Sequence, residues 1–139
     1  MKPADQQAQA FQRVRDAHAS EIVEDYVELI GDLTEVDGAA RAVDLARRFG
    51  VTPATVNATL KRLERDGFVT SAPYRAVFLT EKGRMLADRC RARHAVVRDF
   101  LVALGVDPVT ADADAEGIEH HVSKQTLEAF RRFVASQNS

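Results

Sequence analysis

Two carboxylates and two imidazoles fall within Glu116-Gly117-Ile118-Glu119-His120-His121, a density of metal-ligating groups that a solvated helix surface does not require. Helical spacing sets Glu116 three residues from Glu119 and four from His120, so these three side chains are expected on one helix face. They do not complete a coordination shell. Asp25-Tyr26-Val27-Glu28 repeats the three-residue acidic spacing near the other end of the chain, and His94 offers another imidazole. The candidate metal ligands are therefore Asp25, Glu28, His94, Glu116, Glu119 and His120. Each has an ordinary alternative, since acidic residues at helical spacing commonly form a solvated face and a lone histidine is usually a satisfied helix residue. Only the six together point to a metal. His121, turned about 100° from His120 around a helix, is expected to face away, and His18 has no assigned chemistry.

Four carboxylates match the charge of two divalent cations. Carboxylate oxygens with imidazoles, and no thiolate or thioether, suit Mn(II) in a roughly octahedral site, with Fe(II) the nearest competitor. Zinc prefers fewer, tetrahedral ligands. Brought together without cations, the carboxylates would repel one another, so metal binding is expected to be coupled to helix geometry. Cys90, the single cysteine, excludes an intrachain disulfide. It lies one turn before His94 and is read as a small buried apolar residue rather than a ligand.

The formal charge of −2 conceals a regional asymmetry. Residues 1–38 carry 3 basic and 9 acidic side chains, residues 39–93 carry 12 and 5, and residues 94–139 carry 4 and 7. A middle of net +7 between acidic ends suits a protein that lays its centre on a polyanion and its ends around cations. With 45% apolar residues in 139 the chain supports a real core. No apolar run approaches the roughly 20 residues of a membrane span, and the start lacks a signal-peptide hydrophobic region, so the expected location is cytoplasmic with no membrane partner.

The elements that position these groups follow from periodicity and punctuation. Residues 1–20 are a polar, Gln/Ala-rich arm, partly helical. Ile22, Tyr26, Leu29, Ile30 and Leu33 then follow helical spacing up to Gly38. A short amphipathic block from Arg41 to Phe49 ends at Gly50, and Thr52 as N-cap with Pro53 at N1 starts a second helix that Gly67 closes. These two form a helix-turn-helix. Phe68-Val69-Thr70 and Ala76-Val77-Phe78-Leu79 read as a hairpin, the wing. Thr80 opens a long helix through Cys90 and His94 to Gly105, Asp107-Pro108 opens one reaching the His120 region, and Ser123 opens the last. The expected fold is mainly α, with an arm at 1–20, a winged helix-turn-helix DNA-binding domain at 21–80 and an all-helical metal-binding and dimerisation domain at 81–139.

In the second helix of the motif Val56, Leu60 and Leu63 form the inward stripe, leaving a face that is small at its start and basic further on. Thr52, Ala54 and Thr55 permit close approach to the major groove, Asn57 suits a base edge, and Lys61 or Arg62 a purine or phosphate. Arg75 at the wing tip is placed to reach a neighbouring phosphate or the minor groove. Individually such basic residues often only solvate a helix; the helix, turn, capped helix and hairpin in a positive region point to DNA. Gly-rich nucleotide-binding loops are absent, so no organic cofactor is expected.

Asp25-Tyr26-Val27-Glu28, the winged helix-turn-helix, Arg93-His94 and Glu116-Gly117-Ile118-Glu119-His120-His121 together resemble the manganese transport regulators of the diphtheria-toxin-repressor family. The resemblance covers about residues 20–135. It implies a homodimer that binds a palindromic operator when loaded with two Mn(II) ions per subunit, represses metal-uptake genes, and is no enzyme. It also implies that the six candidate ligands hold the ions, with Glu116 and Glu119 shared between them. The iron-responsive branch carries a methionine where this chain has Asp25 and a cysteine where it has Glu116, which separates this chain from an iron-responsive repressor. The SH3-like domain of iron-type relatives is expected to be absent. A di-metal hydrolase is the rival from another class, although no substrate-pocket motif accompanies the ligands. Val97, Phe100, Leu101, Leu127, Phe130 and Phe133 suit either a dimer contact or an internal core.

Overall fold

The computed structural model describes residues 1–138; Ser139 and the side chain of Arg75 lie outside the described residues. Six α-helices and a small sheet follow in the order α1 (Ala4–Asp37), β1 (Ala40–Arg41), α2 (Ala42–Phe49), α3 (Pro53–Arg65), β2 (Val69–Ser71), a 3-10 turn (Pro73–Arg75), β3 (Ala76–Leu79), α4 (Glu81–Ala103), α5 (Pro108–Ile118) and α6 (Lys124–Gln137). Two compact units result, residues 23–89 and residues 1–22 with 90–139.

Residues 23–89 form the winged-helix unit. The turn between α2 and α3 is set by local chemistry: Gly50 takes the left-handed conformation (φ 67°) that ends α2, and the Thr52 hydroxyl accepts from the Thr55 N–H with Pro53 behind it. These satisfy the helix-end groups that would otherwise go unpaired. The apolar stripes of α1, α2 and α3 then meet, with Ile30, Leu45 and Val56 fully buried and Leu33, Leu63, Val69 and Val77 nearly so. Tyr26 stacks on Phe49 at 4.5 Å. Each large aliphatic side chain withdrawn from water contributes about 1.5–3 kcal/mol, so this cluster outweighs any surface ion pair nearby.

β3 is the central strand of an antiparallel sheet ordered β1-β3-β2. Val69 pairs with Leu79, Thr70 with Phe78 and Ser71 with Val77, forming the hairpin expected from the sequence, and Ala40 and Arg41 add β1 across Val77 and Ala76. At the hairpin tip Tyr74 is held at φ 63° with its side chain in solvent. The base of the wing is fixed to α4 by Thr80, whose hydroxyl donates to the Gly67 carbonyl at 2.6 Å and accepts from the Gly83 N–H at 3.2 Å. A Cβ on Gly83 would stand 2.2 Å from the Phe68 carbonyl oxygen, so only glycine permits this approach.

The helical unit contains the start of α1 and most of α4, with α5 and α6. The helix begins at Ala4, well before the apolar periodicity at Ser20; residues 4–16 are exposed all round, so helix propensity rather than an amphipathic pattern accounts for them. Val97, Ala115 and Leu127 are buried, with Val96, Leu101, Val122 and Phe130 packed against them. Phe100 stacks on Phe130 at 3.9 Å and meets Phe133 edge-on at 5.5 Å. The apolar residues of α4 and α6 that suited either role therefore pack largely within the unit. Val102, Leu104 and Val109 remain exposed.

Candidate metal centre and DNA-reading face

α5 ends at Ile118 instead of continuing through His120. Glu119 keeps helical angles as the C-cap, its N–H donating to Ala115, and the His121 N–H closes a tighter turn on the Ile118 carbonyl at 2.9 Å. Gly117, a poor helix former, and Ser123, which caps α6, bracket this break. The expectation of a single ligand face is corrected accordingly. Glu116 lies on α5 with its side chain 58% exposed, whereas the side chains of Glu119 and His120 are 0% and 1% exposed.

Two oxygen–nitrogen pairs result. His94 Nδ1 stands 3.1 Å from Glu116 Oε1, and His120 Nε2 stands 3.0 Å from Glu119 Oε1. Neither approach has hydrogen-bond geometry. On the other side of the His94 ring, Nε2 lies 2.8 Å from Asp112 Oδ1. An ionised carboxylate only accepts, so Nε2 donates to Asp112 and Nδ1 is the atom aimed at Glu116. An imidazole lone pair and a carboxylate oxygen held at that distance repel unless a cation lies between them. Adjacent donors on an octahedral ion with bonds of about 2.1 Å stand about 3 Å apart, so both pairs fit a divalent metal.

Glu119 is held from its other oxygen, where Arg93 Nε donates to Oε2 at 2.9 Å. Arg93 Nη2 also reaches Cys90 Sγ at 3.5 Å, and Cys90 is wholly buried. Burial pushes the Glu119 carboxyl up, but the neighbouring His120 and Arg93 outweigh it and hold the group below the usual carboxylate range. Glu119 is therefore ionised at neutral pH with Oε1 turned toward His120. Arg93 and Asp112 are functional candidates that ligand type and spacing did not single out. Asp112 does carry a signal, since it lies four residues before Glu116 on the same helix face.

Asp25 and Glu28 lie in the winged-helix unit, half-buried on α1 and three residues apart. Glu24, beside them, is 7% exposed. Carboxylates are seldom buried unless paired or bound to a cation, so Glu24 joins this acidic stretch as a further candidate that spacing alone passed over.

The candidate DNA-reading face is the outer side of α3. Thr52, Ala54, Thr55, Asn57, Lys61 and Arg62 are all exposed, while Val56, Thr59 and Leu63 are buried. Thr59, whose hydroxyl donates to the Thr55 carbonyl at 3.1 Å, adds a polar member to the inward stripe. Arg75 was expected at the wing tip; its side chain lies outside the described residues.

Two family models match the chain in succession. Residues 18–77 match the iron dependent repressor N-terminal DNA binding domain, and residues 80–137 the iron dependent repressor metal binding and dimerisation domain. The "Transcriptional regulator MntR" of Salmonella typhi is 50% identical over 130 residues, covering 94% of this chain and 83% of that protein. The chain belongs to the iron-dependent repressor family. A second relative of this family member, the "HTH-type transcriptional regulator MntR" of Listeria monocytogenes, is 39% identical over 106 residues, 76% of this chain and 75% of that protein. Among solved structures, a manganese-dependent transcriptional repressor complex with manganese superposes with a TM-score of 0.73 at 29% identity, covering 81% of this chain and 52% of that one. The manganese regulator SloR gives 0.70 at 27% identity, over 81% and 53%. This family member spans about half the length of those solved chains. No helix among its described residues is long and apolar enough to cross a membrane.

Proposed function

We propose that this repressor-family chain is a manganese-responsive transcriptional regulator, a cytoplasmic homodimer that binds a palindromic operator when loaded with two Mn(II) ions per subunit and represses manganese-uptake genes. Its role is regulatory, not enzymatic. The observation that carries the reading is the pair of oxygen–nitrogen approaches near 3 Å, His94 with Glu116 and His120 with Glu119. The identity to proteins named MntR supports manganese over iron, as do carboxylates at both Asp25 and Glu116.

In this reading Asp25, Glu28, His94, Glu116, Glu119 and His120 hold the ions. The cations supply the positive charge that allows four carboxylates to share a small volume. The protein does the rest. Asp112 keeps the His94 lone pair on Nδ1, and Arg93 keeps Glu119 ionised and oriented. Asp25 and Glu28 lie on the helix that leads into the DNA-reading motif, so their repulsion from Glu116 and Glu119 disfavours one arrangement of α1 until it is neutralised. In a dimer that arrangement sets the separation of the two α3 helices, and both must enter major grooves together. Moving such an equilibrium from 1:99 to 99:1 needs about 5.5 kcal/mol of preferential binding, within reach of two multidentate sites.

The test is operator binding by fluorescence anisotropy, with and without MnCl₂, on a palindromic duplex selected by the manganese-loaded protein. Glu116→Ala is expected to remove the manganese stimulation while leaving the helical circular-dichroism spectrum unchanged, because Glu116 is exposed. Stimulation that survives in this variant rejects the coupling.

A further inference from the structure

Three residues left without a role, His18, Glu21 and His121, come together inside the helical unit. His18 and Glu21 stand three apart on α1, hence on one face. His121 Nε2 donates to Glu21 Oε1 at 2.7 Å across a separation of 100 residues, and the His18 ring meets the His121 ring edge-on with centroids 5.0 Å apart. One ligating atom from each of the three lies within 4.8 Å of the other two. Fastening α1 to the turn after α5 needs only the His121–Glu21 bond. The second imidazole, beside the same carboxylate, completes a two-histidine, one-carboxylate donor set.

We propose that His18, Glu21 and His121 form an additional divalent-cation site, distinct from the proposed manganese ligands and selective for zinc-like ions. The donors are two nitrogens to one oxygen, whereas the proposed manganese set has four carboxylates to two imidazoles; imidazole-rich sites favour zinc over manganese. Three protein ligands and one water are a common zinc arrangement. The side chains of His121 and Glu21 are 33% and 30% exposed, enclosed enough to be oriented and open enough for a water ligand and for exchange. The ion takes the place of the proton that His121 shares with Glu21, and the neutral ring carries its proton on Nδ1 instead. A ligand that binds only the folded form stabilises it, so the site fastens the N-terminal part of α1 to the segment that follows α5.

Equilibrium dialysis of the full-length protein against Zn(II) measures the site by difference. The wild type is expected to take up one more equivalent per subunit than His18→Ala, and one more than Glu21→Gln. Both variants are expected to keep wild-type Mn(II) uptake, since neither residue belongs to the proposed manganese set. Co(II) gives an independent readout, a visible d–d absorption component present in the wild type and missing from both variants. Equal Zn(II) uptake by all three proteins, or identical Co(II) spectra, would falsify the site. A failure of the manganese reading shows separately, as wild-type operator binding that ignores MnCl₂ while the zinc difference stands.

Discussion

The winged-helix unit is held together by apolar side chains from three helices and a sheet, with Leu45 and Val56 at its centre. The helical unit has the smaller apolar cluster of Val97, Ala115 and Leu127, and it buries a carboxylate and an imidazole in contact, Glu119 and His120, whereas the buried carboxylate of the winged-helix unit is Glu24. The difference lies in what each unit needs from outside. Hydrophobic burial is complete in the folded chain and asks for no ligand, whereas a buried charge must be compensated. Most of the winged-helix unit's cohesion is thus independent of any ion, while the helical unit holds the buried carboxylate–imidazole pair that calls for compensation.

Removing the compensated charge is the strongest way to break the comparison. Glu119→Ala removes the carboxylate that accepts from Arg93 Nε at 2.9 Å and takes one donor from the His120 pair. Losing one partner of a buried pair costs about 3–5 kcal/mol, with the lower end expected because Arg93 is 23% exposed. Urea denaturation monitored by hydrogen exchange should show α4 and α5 destabilised by about 3 kcal/mol and the core around Leu45 unaffected. Uniform weakening of both units would mean that they are not separable in this way.

Asp112→Ala sharpens the contrast inside the helical unit. Asp112 is exposed and touches no proposed ligand except His94, through Nε2 at 2.8 Å. Without it the ring is free to carry its proton on either nitrogen. Loss of such an outer partner typically weakens metal binding about 10–100-fold, while an exposed substitution changes stability by less than about 0.5 kcal/mol. Electron paramagnetic resonance titration with Mn(II) reads the first quantity and thermal melting the second. An unchanged Mn(II) affinity would remove Asp112 from the site.

The sequence made legible whatever local chemistry decides. Gly50, Thr52-Pro53, Asp107-Pro108 and Ser123 mark helix ends because a cap or a left-handed residue acts within a few positions of itself, and the helices begin or end there. β1 was not legible. Two residues carry no alternation, and they become a strand only by pairing with β3, far along the chain. The helix over residues 4–19 was only partly legible, because a helix exposed all round has no apolar period to read. In the candidate site, His94 and Glu116 were named by type and spacing, and the fold sets them 3.1 Å apart. Glu24 and Arg93 could be recognised only once their burial or partners were known, since charged residues on helices are usually just solvated, and the four-residue spacing of Asp112 from Glu116 gains meaning only beside His94.

The smallest effect belongs to the unit built on the larger apolar cluster. Lys61 is exposed on α3, beyond the Thr52–Thr55 cap and outside the apolar cluster, so Lys61→Ala should leave both stability and Mn(II) uptake as in the wild type. On DNA it is expected to remove one phosphate contact. Affinity then falls by a similar factor for operator and unrelated duplexes, and the slope of log affinity against log salt shrinks by about 1. Anisotropy titrations at several salt concentrations, with saturating MnCl₂, measure that slope. If affinity drops for the operator alone and the slope is unchanged, Lys61 reads a base and not the backbone. If neither changes, the DNA path runs elsewhere on α3.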